Sequence, residues 1–180
     1  AIPGQADPGS GLTALTYPDP LAGYAMTPHA YFRSAAGTLA QTYLGRAGRT
    51  TQTLAGQPEP GSALAATTVA STRVGPAVFY FNAAGLLSQS DGQGTKWVTS
   101  TLSAGPRTAA AGSLALAGTS AGFSVFYLSA PGTITVATYN GHGWAVTSIA
   151  SRYGVAAAGP LSAITGSIGC ACRAAHSLTN

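Results

Sequence analysis

The sequence predicts an all-β fold of repeated four-stranded units. Three observations carry that expectation. One pattern recurs with a period near 47 residues, each copy holds four short runs of alternating apolar and polar residues, and no stretch reads as a continuous amphipathic helix. The recurrence is plainest in Tyr31-Phe32-Arg33-Ser34-Ala35-Ala36-Gly37, Phe79-Tyr80-Phe81-Asn82-Ala83-Ala84-Gly85 and Phe126-Tyr127-Leu128-Ser129-Ala130-Pro131-Gly132, whose closing glycines lie 48 and 47 residues apart. The register persists downstream: Trp97 and Trp144 each follow their glycine by twelve residues, and Gly112 and Gly159 each follow their tryptophan by fifteen. Composition bias alone does not place so many matches in one frame.

The elements follow in order. The first strand of each unit is rich in small residues after a glycine: Gly9–Ala14, Gly61–Ala66, Gly112–Ala117 and Gly159–Ile164. The second carries the paired aromatics, as in Val78–Phe81, and ends in a polar turn closed by glycine, the residue that adopts positive φ without strain. The third alternates, as in Leu86–Ser90, and the fourth opens on tryptophan, as in Trp97–Leu102. Ala-rich stretches such as Thr108–Gly112 are short and bounded by Pro and Gly, which stop helices.

Four short strands in about 47 residues is the arithmetic of one blade of a β-propeller. The 180 residues therefore form a single repeat domain of about three and a half blades of four antiparallel strands: units at 10–56, 61–105 and 112–154, with a partial unit at 159–180. Small residues on the first strand suit a crowded central channel. Three and a fraction blades do not close a ring, since closed propellers carry about four to eight. The expectation is that further copies complete the ring, the alternatives being a fragment of a longer protein or another β-architecture.

Composition narrows the partners. Charged residues are 7% of the chain, hydrophobic residues 46% and mean hydropathy is +0.22, which excludes a disordered tail. The formal charge of +4 reflects few acids; the eight basic residues are scattered, whereas nucleic-acid binding needs cations gathered on one face. No apolar run reaches the roughly 18 residues of a membrane span. The neutral Ser/Thr/Gly-rich composition and the terminus Ala1-Ile2-Pro3-Gly4 read as a secreted, extracellular protein after processing.

The pattern Val78-Phe79-Tyr80, Ala84-Gly85-x-Leu87, Gly94-x-x-Trp97 with Leu102, and Gly112-x-Leu114-Ala115 resembles the blades of the fungal and bacterial fucose-binding propeller lectins, and more loosely the tectonin-like lectins, over residues 10–166. In that family a fucose sits between adjacent blades, held by an Arg just ahead of the aromatic strand, a Glu on the next strand and an aromatic ring. The resemblance thus implies a lectin, and related bacterial lectins build rings from partial-ring subunits. Here His29, Ala77 and Ser124 stand at the Arg position, and Gln41, Gln89 and Val136 at that of the Glu. The groups left to meet a glycan, fucose or another sugar, are the amides of Gln41 and Gln89 and the rings of Trp97 and Trp144, with His142 in the loop before the last strand. The competing reading of the rings is blade packing, and of His142 an exposed turn. The aromatic pairs 31/32, 79/80 and 126/127 read as core and blade-to-blade contacts.

Other motifs weigh less. Gly118-Thr119-Ser120-Ala121-Gly122 matches the hydrolase nucleophile elbow, but a strand follows it and no acid lies beyond Asp91 to complete a Ser-acid-His order. Cys170, Cys172 and His176 could hold a metal but lack a fourth ligand nearby; the cysteines read first as disulfide candidates, within the chain or to another chain, or as free thiols. The four acids, each taken in a Pro/Gly turn, offer no convincing glycosidase pair. No enzyme and no cofactor is expected. The functional expectation is lectin-like glycan binding; the alternative is a structural or interaction subunit of an extracellular assembly with no sugar site.

Overall fold

A computed structural model describes residues 5–19, 23, 25–45, 48–69, 75–93, 95–102, 113–119, 122–129, 133–140 and 142–149. They form three four-stranded antiparallel sheets, each a simple meander: β1 (Leu12–Asp19), β2 (Ala25–Arg33), β3 (Leu39–Gly45) and β4 (Gly48–Thr53); β5 (Ala65–Val69), β6 (Gly75–Phe81), β7 (Leu87–Gln93) and β8 (Lys96–Thr101); β9 (Leu114–Thr119), β10 (Gly122–Ser129), β11 (Thr133–Tyr139) and β12 (Trp144–Ile149). No helix occurs among the described residues, so none there is long and apolar enough to cross a membrane. The partial unit at 159–180 lies outside them.

The local chemistry repeats with the blades. Pro28 and Pro76 stand in β2 and β6 just before His29 and Ala77, the first residues paired to the third strand, so the missing N–H costs no ladder bond on that side. The turn into the third strand is the same in the first two blades. Gly37 N donates to Ser34 O and Gly85 N to Asn82 O, at 2.8 and 2.7 Å, with φ of +82° and +70°. Asn82 reinforces its turn, its Oδ1 accepting from Ala84 N at 2.9 Å and Leu86 N at 3.1 Å. Gly132 lies outside the described residues.

Blades stack face to face, and β6 is the centre of the stack, all seven of its residues buried. Val78 and Tyr80 turn to the first blade, packing with Tyr31, Leu39, Leu54 and Leu64; Ala77, Phe79 and Phe81 turn to the third, packing with Phe123, Val125, Tyr127 and Ala137. The first strands meet one another, β1 with β5 and β5 with β9, which is where small side chains are needed. Of the aromatic pairs, Phe126 differs from its counterparts: it is half-buried, because its face of β10 points away from the second blade.

A second repeat, out of step with the strands, ties the blades together. Gln5-Ala6-Asp7-Pro8-Gly9-Ser10 and Gln57-Pro58-Glu59-Pro60-Gly61-Ser62 make the same loop: Asp7 N donates to Arg33 O and Glu59 N to Phe81 O, at 2.9 and 2.8 Å, while Ser10 N and Ser62 N close on Asp7 O and Glu59 O, both at 3.1 Å. Ser62 Oγ also accepts from Phe81 N at 2.9 Å, which keeps residues 61–64 in the loop and delays β5 to Ala65. The Arg33 guanidinium pairs with Asp7 and donates through Nε to Pro58 O at 2.9 Å, joining both loops to the first blade. In the second blade Phe81 stands where Arg33 does, so among the described residues Glu59 has no such cation, and burial pushes its carboxyl above the usual range.

Candidate functional site

Four of the sequence-predicted residues, Gln41, Gln89, Trp97 and Trp144, lie on blade faces at the two seams, because a strand sends alternate side chains to opposite faces. At the first seam the registers Leu15↔His29↔Tyr43 and Thr13↔Tyr31↔Gln41↔Gln52 put Tyr17, Asp19, His29, Tyr31, Gln41, Tyr43 and Gln52 on the face of the first blade that meets the second. From the second blade Trp97 comes across, its ring 6.0 Å from that of Tyr31 and edge-on at 61°.

His29 is the centre of this group. It is 2% exposed, sandwiched between Tyr17 at 4.4 Å and Tyr43 at 4.7 Å, with Nδ1 3.3 Å from Gln41 Oε1 and Nε2 3.7 Å from Asp19 Oδ2. Gln41 in turn donates through Nε2 to Gln52 Oε1 at 2.9 Å. Burial lowers the His29 pKa from its ordinary value, outweighing the Gln41 bond and the Asp19 charge, which both raise it; burial also pushes the Tyr17 hydroxyl up to about 12. An unfolded histidine takes its proton as pH falls through about 6.5, and the folded one resists it, so this contribution to stability is lost as pH drops below that point. The urea midpoint of the native protein should therefore fall between pH 7.5 and 5.5 more steeply than that of His29→Gln. Parallel curves would remove the assignment.

The second seam repeats the plan with different polar groups. Trp144 lies over Phe79 at 5.7 Å, as Trp97 lies over Tyr31, and also meets Phe123 at 5.2 Å and Tyr139 at 5.4 Å. Gln89 and Asp91 project from β7 on the same face as Phe79 and Ala77, their partners in the ladder. Gln89 Nε2 donates to Asp91 Oδ1, and Gln89 Oε1 is buried with no hydrogen-bond partner among the described residues. Burial raises the Asp91 carboxyl above its ordinary value, and the Gln89 bond offsets this in part.

Gln41 is thus the ladder neighbour of the Tyr31 that Trp97 meets, and Gln89 that of the Phe79 that Trp144 meets. His142 sits exposed in the β11–β12 turn, which Asn140 Oδ1 shapes by accepting from His142 N and Gly143 N, both at 3.0 Å. Ser120, Cys170, Cys172 and His176 lie outside the described residues, among which no group of three His, Cys, Asp or Glu side chains forms a metal cluster. Two acids differ from the turn placement read from sequence: Asp19 closes β1 and Asp91 lies inside β7. β7 runs on past Asp91 through its ladder with β8, in which Gly92 pairs with Trp97 and Gln93 with Lys96. Tyr17, Tyr43, Gln52 and Asp91 went unread as seam residues; for Asp91 the available signal was its position two residues beyond Gln89, hence on the same face.

No protein-family model and no curated protein sequence matches the chain. Solved structures do resemble it. The crystal structure of AofleA from Arthrobotrys oligospora gives a TM-score of 0.61 at 19% identity, over 81% of this chain and 44% of that one. A fucose-specific lectin from Aleuria aurantia gives 0.63 at 21% identity, over 81% of this chain and 50% of that one. A fucose lectin from Kordia zhangzhouensis, solved in complex with methyl-fucoside, gives 0.56 at 13% identity, over 75% of this chain and 97% of that one. The chain spans about half the length of the first two. At these identities the likeness establishes the fold, an all-β run of propeller blades.

Proposed function

We propose that this chain is a secreted carbohydrate-binding module that holds glycans at shallow sites in the seams between blades, catalyses no reaction, and acts in an assembly where a second copy or another chain completes the ring. The observation that carries the reading is the repeated placement of a fourth-strand tryptophan over the preceding blade's aromatic strand, beside a third-strand glutamine: Trp97 with Tyr31 and Gln41, Trp144 with Phe79 and Gln89. An indole face suits the apolar face of a sugar ring, and amides suit its hydroxyls. The fucose lectins that share the fold support the ligand class, fucose or another sugar. His142 stands in the turn next to Trp144.

One observation favours the alternative of a structural subunit without a sugar site. At the first seam His29 and Gln41 are 2% and 4% exposed, and Gln41 is bonded to both His29 and Gln52. A glycan array run on the natively assembled protein decides between the two. Binding that Trp144→Ala weakens on the order of tenfold or more supports the lectin reading. A folded, assembled protein with no binder on the array supports the structural one.

A further inference from the structure

The polar groups of the two seams differ in kind. In the first, His29, Gln41 and Gln52 bond to one another, and the groups left without a hydrogen-bond partner among the described residues include His29 Nε2 and the Tyr31 hydroxyl. In the second, β7 presents acceptors: the Asp91 carboxylate and Gln89 Oε1, while the Gln89 Nε2 donor is already committed to Asp91. Gln89 is only 7% exposed, so its open carbonyl is an unmet acceptor at a site from which water is largely excluded. Among the described residues no cation pairs with the carboxylate. Its ladder partners are Ala77 and Val98, and no ion pair joins it to Lys96, which is exposed on the same face of β8. Among the described residues the titratable side chains on the facing blade are Tyr127, Tyr139 and, exposed in the turn before Trp144, His142; burial raises the Tyr127 hydroxyl further from ionisation. Phe79, the ladder partner of Gln89, belongs at this seam to a cluster of rings with Phe123, Tyr139 and Trp144.

We infer that the seam between the second and third blades selects a protonated amine carried by an amino sugar over a neutral hexose. The inference rests on the glycan-binding reading and narrows its ligand. A sugar hydroxyl has one hydrogen to donate and can meet one of the two acceptors. An ammonium has three, so it can bond Gln89 Oε1 and Asp91 together, place its charge against the carboxylate and rest on the aromatic faces. General charge attraction does not produce the same preference, because the chain is formally +4 and repels cations at long range.

The test is calorimetric titration of the natively assembled protein at pH 6 with a glucosamine tetrasaccharide, its fully N-acetylated counterpart and methyl fucoside. The free-amine oligomer should bind about tenfold or more tightly than either neutral ligand. Asp91→Asn should abolish that preference, Lys96→Ala should retain it, and repetition at pH 9, where the amine is neutral, should erase it in the native protein. Equal or tighter binding of a neutral sugar overturns the inference and leaves glycan binding standing. A preference that survives in Asp91→Asn or at pH 9 also overturns it. Binding of none of the three sugars by the folded protein overturns the inference, and an array without any binder removes the glycan reading with it.

Discussion

Phe79→Ala is expected to cost about 3–5 kcal/mol, a large fraction of the 5–15 kcal/mol that holds an ordinary domain together. The side chain is fully buried at the middle of β6, 5.5 Å from Phe123 and 5.7 Å from Trp144, so its removal opens a cavity across the junction of two blades. Collapse cannot fill that cavity cheaply, because the backbones on both sides are fixed by ladders, Ala65 and Gln89 pairing with residue 79 itself. Urea denaturation followed by tryptophan fluorescence measures the loss, and the near-ultraviolet dichroism of the clustered rings should fall with it. Phe126→Ala is the internal comparison: its half-buried ring on the far face of β10 should cost much less. A loss of under about 1 kcal/mol in Phe79→Ala would contradict the packing described between these blades.

The second large effect comes from adding one carbon. Gly122 begins β10 with φ +155°, and a Cβ there would overlap the carbonyl oxygen of Tyr139. Gly75 begins β6 in the same way against the carbonyl of Gly92. Each glycine thus stands just before the first pair of its ladder with the third strand, Ala77↔Asp91 and Phe123↔Tyr139. Gly122→Ala must therefore push β10 from β11 or strain φ, at a cost of about 2–4 kcal/mol. The displaced backbone leads through the Asn140–Gly143 turn into Trp144, so its fluorescence should shift as the midpoint falls. Gly143→Ala, in the same turn but with open space around the new carbon, should stay within about 0.5 kcal/mol of the native protein. If the two substitutions cost the same, the backbone contact is not what requires glycine at position 122.

Much of this architecture is legible in the residues. The spacing of Gly37, Gly85 and Gly132 and of the two tryptophans is a property of one strand-turn-strand unit, so it survives in sequence as a fixed period. The seams are less legible because they join residues of different blades. Nothing local says that Trp97 reaches back to Tyr31; that follows only once alternate faces are assigned and the blades stacked. Asp91 reads as a turn acid because Ser90, Gly92 and Gln93 flank it, and the pairing that carries the strand through it, Gly92 with Trp97 and Gln93 with Lys96, follows only once β8 is recognised as its partner. The paired loops Gln5–Ser10 and Gln57–Ser62 escape a search in the strand frame because they lie 52 residues apart, out of phase with the 47–48 spacing of the turn glycines.

A strand wrapped on both sides, as β6 is, carries an unusual burden. In a half-wetted strand a one-residue slip would drive every oily side chain into water, and that penalty alone fixes the alignment. Gly75–Phe81 has no wet side, so slippage would exchange one greasy neighbour for another at little solvation cost. Alignment must instead be enforced at the strand's two ends, by the bare glycine that admits a carbonyl at one end and the asparagine-bound turn at the other. Those small polar and hydrogen-only residues, rather than the large rings between them, decide which ring meets which.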